Sequence, residues 1–338
     1  MQARPRRPRS TSRPRRWSRC SPTRSPSAPA DEAHVGPVIW QVLAAYRRTP
    51  PELRSPWLLA PFDLAGPRSL RALRRRTTVG GTGDHVEAVP PTRDLPSGAV
   101  LWFHGGGHVA GSAAAEQGFV RDLADHLGAV VVAVDYRLAP EHPFPAGLED
   151  AYAALGDLVR RSADLGVDPD RIAVAGASAG AGLAASLCQL VRDRGEHRIC
   201  FQALRYPMLD DRTRPARRGR HYVWSARSNS YAWDCYLGRR GQAAPVAPPR
   251  YAAPARTEDL AGLPPAWIGV GEEDLFHREC VRYADRLRSA GVPVTLDAVP
   301  GMYHGADGVR PDAPLVLDFL ARERAALAAT VSAPPSGH

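Results

Sequence analysis

The residues best suited to chemistry in this chain are a serine, an acid and a histidine that arrive in that order. Gly176-Ala177-Ser178-Ala179-Gly180 sets a hydroxyl between two glycines. Glycines two before and two after a nucleophile let a strand and a helix close on a strained turn, so G-x-S-x-G at such a junction points to attack on a carbonyl. Alanine- and glycine-rich sequence also produces this pattern as a plain turn with a solvated serine, so Ser178 needs partners from elsewhere. A base is offered by His304, which alone among the 11 histidines occupies the loop after the final predicted strand. An acid is offered by Glu272-Glu273-Asp274. A fourth feature is His104-Gly105-Gly106-Gly107, where consecutive glycines let backbone N–H groups face a ligand. The same loop also reads as a plain tight turn. It does not satisfy G-x-G-x-x-G, and no ribose-binding acid accompanies it, which argues against a dinucleotide site.

These residues need strands to carry them. Short apolar runs at 99–103, 129–134, 171–175, 267–271 and 294–299 read as buried strands, and 117–127 and 181–190 as helices. The alternation predicts an α/β fold with a mostly parallel central sheet flanked by helices. Ser178, the acid and His304 would then all stand at strand C-termini, where open α/β sheets place their sites. The helix after Ser178 would also aim its first amides at the hydroxyl.

A chain of 338 residues can bury one large core, and the formal net charge of +9 looks at first like a nucleic-acid signal. Nine arginines, from Arg4 to Arg24, precede the first acid, Asp31, and without them 35 basic residues face 35 acidic ones. The body is formally neutral, so neither nucleic acid nor an anionic membrane is expected as a partner. All the basic residues are arginine and none is lysine, a composition expected of a GC-rich, bacterial genome. Residues 1–33 are read as a disordered basic tail, or as the product of a start placed upstream of the true one. Arg15-Arg16 is not followed by an apolar stretch, so export is not expected. Nothing approaches the ~18 apolar residues of a membrane span. Five scattered cysteines without C-x-x-C spacing indicate neither a disulfide framework nor a zinc site, which fits the cytoplasm.

Outside the strands, residues 34–80 carry helical spacing in Val38, Ile39, Val42, Leu43 and Tyr46. Residues 74–89 offer two edge strands around Gly80-Gly81-Thr82-Gly83. The core is expected over 81–326, interrupted at about 212–249 by a polar-aromatic insertion with Tyr222, Trp224, Tyr231, Trp233 and Tyr236. Residues 327–338 are expected to be a flexible C-terminus.

From about Val100 to Ala321 the chain resembles the hormone-sensitive-lipase-like family of α/β-hydrolase esterases. The resemblance rests on several motifs: His104-Gly105-Gly106-Gly107, then Asp135-Tyr136-Arg137-Leu138-Ala139-Pro140-Glu141-His142, then Gly176-x-Ser178-Ala179-Gly180. Gly166-Val167-Asp168-Pro169-Asp170-Arg171, Tyr206-Pro207-Met208-Leu209-Asp210 and Gly262-Leu263-Pro264-Pro265-Ala266 add to it. It implies an α/β-hydrolase fold with a helical cap, to which 34–80 and 212–249 would contribute. It also selects Asp274 over Glu272 and Glu273 as the acid, and implies a Ser178, Asp274, His304 triad with an oxyanion hole from the Gly106, Gly107 and Ala179 amides. The expected activity is hydrolysis of small carboxylic esters of short to medium acyl chain, without metal or organic cofactor, by a monomer or homodimer. The same machinery cleaves amides and thioesters, and the fold hosts non-catalytic ligand-binding members that have lost the histidine. Departures occur at Ala177, His108, Arg278-Glu279 and Ala306, where the family usually has an acid, Phe, Asp-Glu and Phe. They bear on pocket shape, and His108, Trp224 and Trp233 are the candidates to line it. His104 is expected to shape the glycine loop rather than transfer protons, and His142, His221 and His277 are expected to be structural or solvated.

Overall fold

Apolar runs too short for helices and unbroken by charge belong in a sheet covered on both faces. In the computed structural model, which describes residues 97–214, 222–239 and 247–332, six strands form one parallel sheet. They are β1 (Ser97–Phe103), β2 (Val130–Val134), β3 (Val167–Ala177), β4 (Phe201–Arg205), β5 (Ala266–Gly271) and β6 (Val294–Val299), in the order β2-β1-β3-β4-β5-β6. Every neighbouring pair is parallel. The helices are α1 (Gln117–Leu127), α2 (Ala146–Arg160), α3 (Ala179–Arg194), α4 (Ala226–Tyr236), α5 (His277–Ser289), the single turn α6 (Ala306–Val309) and α7 (Pro314–Val331).

The strand order creates the position of the site. From β1 the chain crosses outward to β2, whereas from β3 it crosses the other way to β4, so the loops leaving β1 and β3 diverge. Their C-termini frame the crevice at which open α/β sheets bind ligands. Right-handed crossovers place α1 on the face opposite α2, α3 and α5. Accordingly α1 packs on α7, and α2 on α3. Helix α1 buries Val120, Leu123, Ala124 and Leu127, one stripe at helical spacing, and stops at Gly128 in the left-handed region. Helix α3 is buried from Ala179 to Val191, since it lies against the middle of the sheet. Its small residues allow this: a Cβ on Gly182 would lie 2.1 Å from the Met208 carbonyl oxygen.

Several boundaries differ from expectation. β3 begins at Val167 and runs to Ala177: Val167 pairs with Ser97 of β1, the register shifts across the polar residues that follow, and regular pairing resumes at Ile172. Helix α3 starts directly after Ser178 and continues to Arg194. The expected flexible C-terminus from residue 327 is corrected: α7 continues to Val331, and Leu327 and Val331 are fully buried. The Arg171 guanidinium donates to the Thr330 and Ser332 carbonyls, and Ser332 Oγ donates to the Leu127 carbonyl at 2.8 Å. The expected tail at 1–33, the cap helices at 34–80, the edge strands at 74–89, His221 and the last residues of the chain lie outside the described residues. Of the insertion at 212–249, the described residues contain one helix, α4, and no strand. Among the described residues no helix is long and apolar enough to cross a membrane.

Candidate active site

The turn from β3 into α3 places Ser178 at φ 56° and ψ −117°, a conformation rarely held by a residue with a side chain. Three backbone bonds hold it there. Ser178 N–H donates to the Arg205 carbonyl at 2.9 Å, and the Ser178 carbonyl accepts from Gly182 and Met208 N–H at 3.0 Å each. The flanking glycines are required by contact: a Cβ on Gly180 would lie 2.1 Å from the Phe103 carbonyl oxygen, and one on Gly176 would lie 2.7 Å from the same oxygen. Gly180→Ala is therefore expected to force β1 away from α3, costing about 1–3 kcal/mol or more of stability. A thermal melt checks this, and an unchanged midpoint would mean that the turn is looser than these distances say.

The acid and the histidine come from the loops after β5 and β6, which the backbone stitches together. Glu272 N–H donates to the Val299 carbonyl and Glu273 N–H to the Met302 carbonyl, each at 3.0 Å. The result is a continuous chain of contacts. Ser178 Oγ lies 3.0 Å from His304 Nε2, and His304 Nδ1 lies 2.8 Å from Asp274 Oδ2. Asp274 Oδ1 accepts the Phe276 N–H at 2.8 Å, which fixes the carboxylate plane. All three side chains are buried. The His304 ring makes T-shaped contacts with Phe276, 5.1 Å away between centroids, and Tyr206, 4.7 Å away. Glu272 and Glu273 are exposed, and Asp297 pairs with Arg322 at 2.6 Å, so neither glutamate nor Asp297 joins the chain.

The glycine loop after β1 lies beside the serine. Gly106 and Gly107 hold φ values of 117° and 65°, and among the described residues their amides have no backbone acceptor. Ala179 opens α3, where the first amides have no partner within the helix. Gly107 also makes room for a neighbour: a Cβ there would lie 2.4 Å from the Trp224 ring. His104 shapes this loop, as expected. Its Nδ1 donates to the Gly105 carbonyl at 2.8 Å, its ring stacks on Tyr136, and Tyr136 Oη donates to the His104 carbonyl at 2.8 Å. Burial pulls the His104 imidazole below its ordinary range.

The three pocket candidates meet over the loop. Trp224 is buried with its ring centroid 6.3 Å from that of His304. His108 stacks on Tyr236 at 3.8 Å and lies 6.4 Å from Trp233. Burial lowers the His108 pKa to about 3, so it stays neutral at ordinary pH. Tyr222 turns instead toward Tyr303, 5.4 Å between centroids.

Sequence reasoning missed two groups of supports. Asn229 on α4 holds Trp224, accepting its Nε1–H at 3.3 Å. Arg205, Tyr206 and Asp307 brace the histidine loop: Tyr206 Oη donates to Asp307 Oδ1 at 2.7 Å and Arg205 Nη1 to Asp307 Oδ2 at 2.9 Å. An arginine ending the otherwise uncharged strand Phe201–Arg205, and an acid three residues after His304, were the available signals.

Comparison with known proteins agrees with the fold. A family model described as the alpha/beta hydrolase fold matches residues 100–307. Esterase LipI of Mycobacterium tuberculosis is 41% identical over 224 residues, covering 65% of this chain and 69% of its own. Carboxylesterase NlhH of the same organism is 40% identical over 225 residues, 64% of this chain and 68% of its own. Among solved structures, a bacterial heroin esterase superposes with a TM-score of 0.68 at 33% identity, over 79% of this chain and 91% of that one. The chain belongs to the hormone-sensitive-lipase-like family of the alpha/beta hydrolase fold, whose curated relatives here are esterases and carboxylesterases.

Proposed function

We propose that this chain hydrolyses carboxylic esters of short to medium acyl chain through an acyl-enzyme on Ser178. The observation that carries the reading is the unbroken relay from Ser178 Oγ through His304 to Asp274, at 3.0 and 2.8 Å, at the ends of parallel strands. Ser178 Oγ attacks the carbonyl carbon as His304 Nε2 takes its proton. His304 then gives that proton to the leaving alcohol. Asp274 holds the tautomer with hydrogen on Nδ1 and stabilises the imidazolium. Water, deprotonated by the same histidine, releases the acid and restores Ser178. The Gly106, Gly107 and Ala179 amides are read as the donors to the oxyanion, and one such donor is typically worth about 2.7–4 kcal/mol of barrier. Every step uses groups of the chain and water, with no metal or organic cofactor entering.

Helix α4 and its flanks, within 212–249, are read as part of a cap, with 34–80 as its other part. His108, Trp224 and Trp233 are read as lining the pocket beneath it. The chain is further read as a cytoplasmic monomer or homodimer that binds a small ester and no nucleic acid. The four described cysteines are free, which supports a reducing compartment.

The test is hydrolysis of p-nitrophenyl esters from acetate to palmitate. Activity concentrated at short and medium chains is expected, because aromatic rings crowd the oxyanion loop. A rate that climbs steadily to palmitate would contradict the pocket size. Inactivity on every ester, in folded protein, would move the assignment to amides or to ligand binding.

A further inference from the structure

Two buried donors stand on the face of α4 that covers the oxyanion loop. Asn229 and Trp233 are four residues apart, one helical turn, and are 0% and 2% exposed. Among the described residues, neither Asn229 Nδ2 nor Trp233 Nε1 meets a hydrogen-bond acceptor. The orientation of the Asn229 amide is set by chemistry. Its Oδ1 accepts from Trp224 Nε1 at 3.3 Å, and turning the amide over would set two N–H donors against each other. Nδ2 is therefore the free end.

The same face lies on the groups that would hold the reacting ester. Ala232, between the two donors, comes within 3.2 Å of where a Cβ on Gly107 would stand, and the Trp224 ring held by Asn229 comes closer still. The Trp233 ring sits 6.4 Å from His108, the residue after the three glycines. Buried donors are nearly always paired in native proteins, and an unpaired one weakens whatever state contains it. The Trp233 ring lies beside the His108 and Tyr236 rings, and Asn229 beside Trp224, none of which accepts from these donors. His108 is neutral through burial, so it brings no positive charge that would select an anion.

Resting on the esterase reading above, we infer that Asn229 Nδ2 and Trp233 Nε1 form a donor subsite for a neutral ether or carbonyl oxygen that the substrate carries away from its scissile ester. The preferred substrates are then oxygen-bearing esters rather than plain alkyl ones. A site built to hydrogen-bond a substrate atom discriminates against the analogue lacking it, because its own buried donors are left unpaired.

Two matched pairs test this and separate the acyl from the alcohol side. p-Nitrophenyl β-methoxypropanoate is compared with p-nitrophenyl pentanoate, and methoxyethyl acetate with butyl acetate. In each pair an oxygen replaces one methylene. The readout is the ratio of kcat/KM within a pair, divided by the ratio of the hydroxide-catalysed rates. At least one ratio is expected to favour the oxygen-bearing ester by about tenfold or more. It should collapse toward one in Asn229→Leu and in Trp233→Phe. The second variant keeps an aromatic ring and loses the N–H, so the test survives if the first fails to fold. Ratios near one in both pairs, or a preference that persists in both variants, overturn the subsite. If no ester turns over, the esterase reading fails separately. The subsite is then judged by calorimetric Kd values of the same pairs on Ser178→Ala, with the same tenfold expectation and the same overturning result.

Discussion

Ser178→Ala should lower kcat on p-nitrophenyl butyrate by about 10⁴-fold to 10⁶-fold and abolish covalent labelling by an organophosphate. The size follows from the relay acting as a unit: without the nucleophile, His304 and Asp274 have nothing to activate, and what remains is the oxyanion amides and binding. The fold should not suffer. The strained backbone at residue 178 is held by its own N–H and carbonyl, through Arg205, Gly182 and Met208, and those bonds do not involve the hydroxyl. The side chain contributes one hydrogen bond, to His304 Nε2. A thermal midpoint near that of the parent, together with the loss of turnover, is therefore the expected pair of results. Labelling that persists in the variant would place the nucleophile elsewhere, and intact turnover would end the acyl-enzyme reading.

How much of this was legible in the sequence depended on whether a feature is local. The elbow was legible because Gly176 and Gly180 are needed by contacts of their own segment with β1, and such needs leave a short motif. His304 was legible because a parallel sheet puts loops of successive strands side by side, so a histidine after the last strand has one place to go. The acid was less so. Glu272, Glu273 and Asp274 are equivalent by composition, and only folding separates two exposed glutamates from a buried aspartate facing His304. Less legible again were Asn229 and Arg205. Their roles arise from partners distant in sequence or from the seating of α4 on the glycine loop, and no spacing rule records that. The C-terminal boundary failed for a similar reason: Leu327 and Val331 look like the fraying end of an alanine-rich helix until Arg171 and Leu127 are seen to anchor it.

Arg205→Met should be strongly destabilising, at about 3–5 kcal/mol. Arg205 is the buried last residue of β4, its guanidinium over the Trp102 and Phe119 rings at 5.1 and 4.9 Å. Its Nε and Nη2 donate to Glu323 of α7 and its Nη1 to Asp307. Burial alone would pull the guanidinium down, but Glu323 and Asp307 hold its pKa above the ordinary value, so it stays charged. Methionine fills the volume but strands two carboxylates. For a unit of this size the thermal midpoint should fall by on the order of 10 °C. The loss should depend on pH, with a definite sign. Burial already pushes the Glu323 carboxyl up, and removing Arg205 pushes it further. A carboxyl whose folded pKa is raised favours folding at pH below its unfolded value of about 4.3, and loses that contribution as pH rises through the folded pKa. The variant should therefore be closer to the parent at pH 5 than at pH 8. Arg205→Met with Glu323→Leu removes the stranded charge on α7 and should recover much of the stability, because an apolar pair can replace a buried ion pair. It should not recover the rate. Asp307 would still lack its clamp, and through Tyr206 Oη it braces the ring against which His304 is set. A double variant restored in both stability and kcat would show that Arg205 serves the core alone, whereas restored stability with a depressed kcat and an unchanged KM assigns it to the histidine loop.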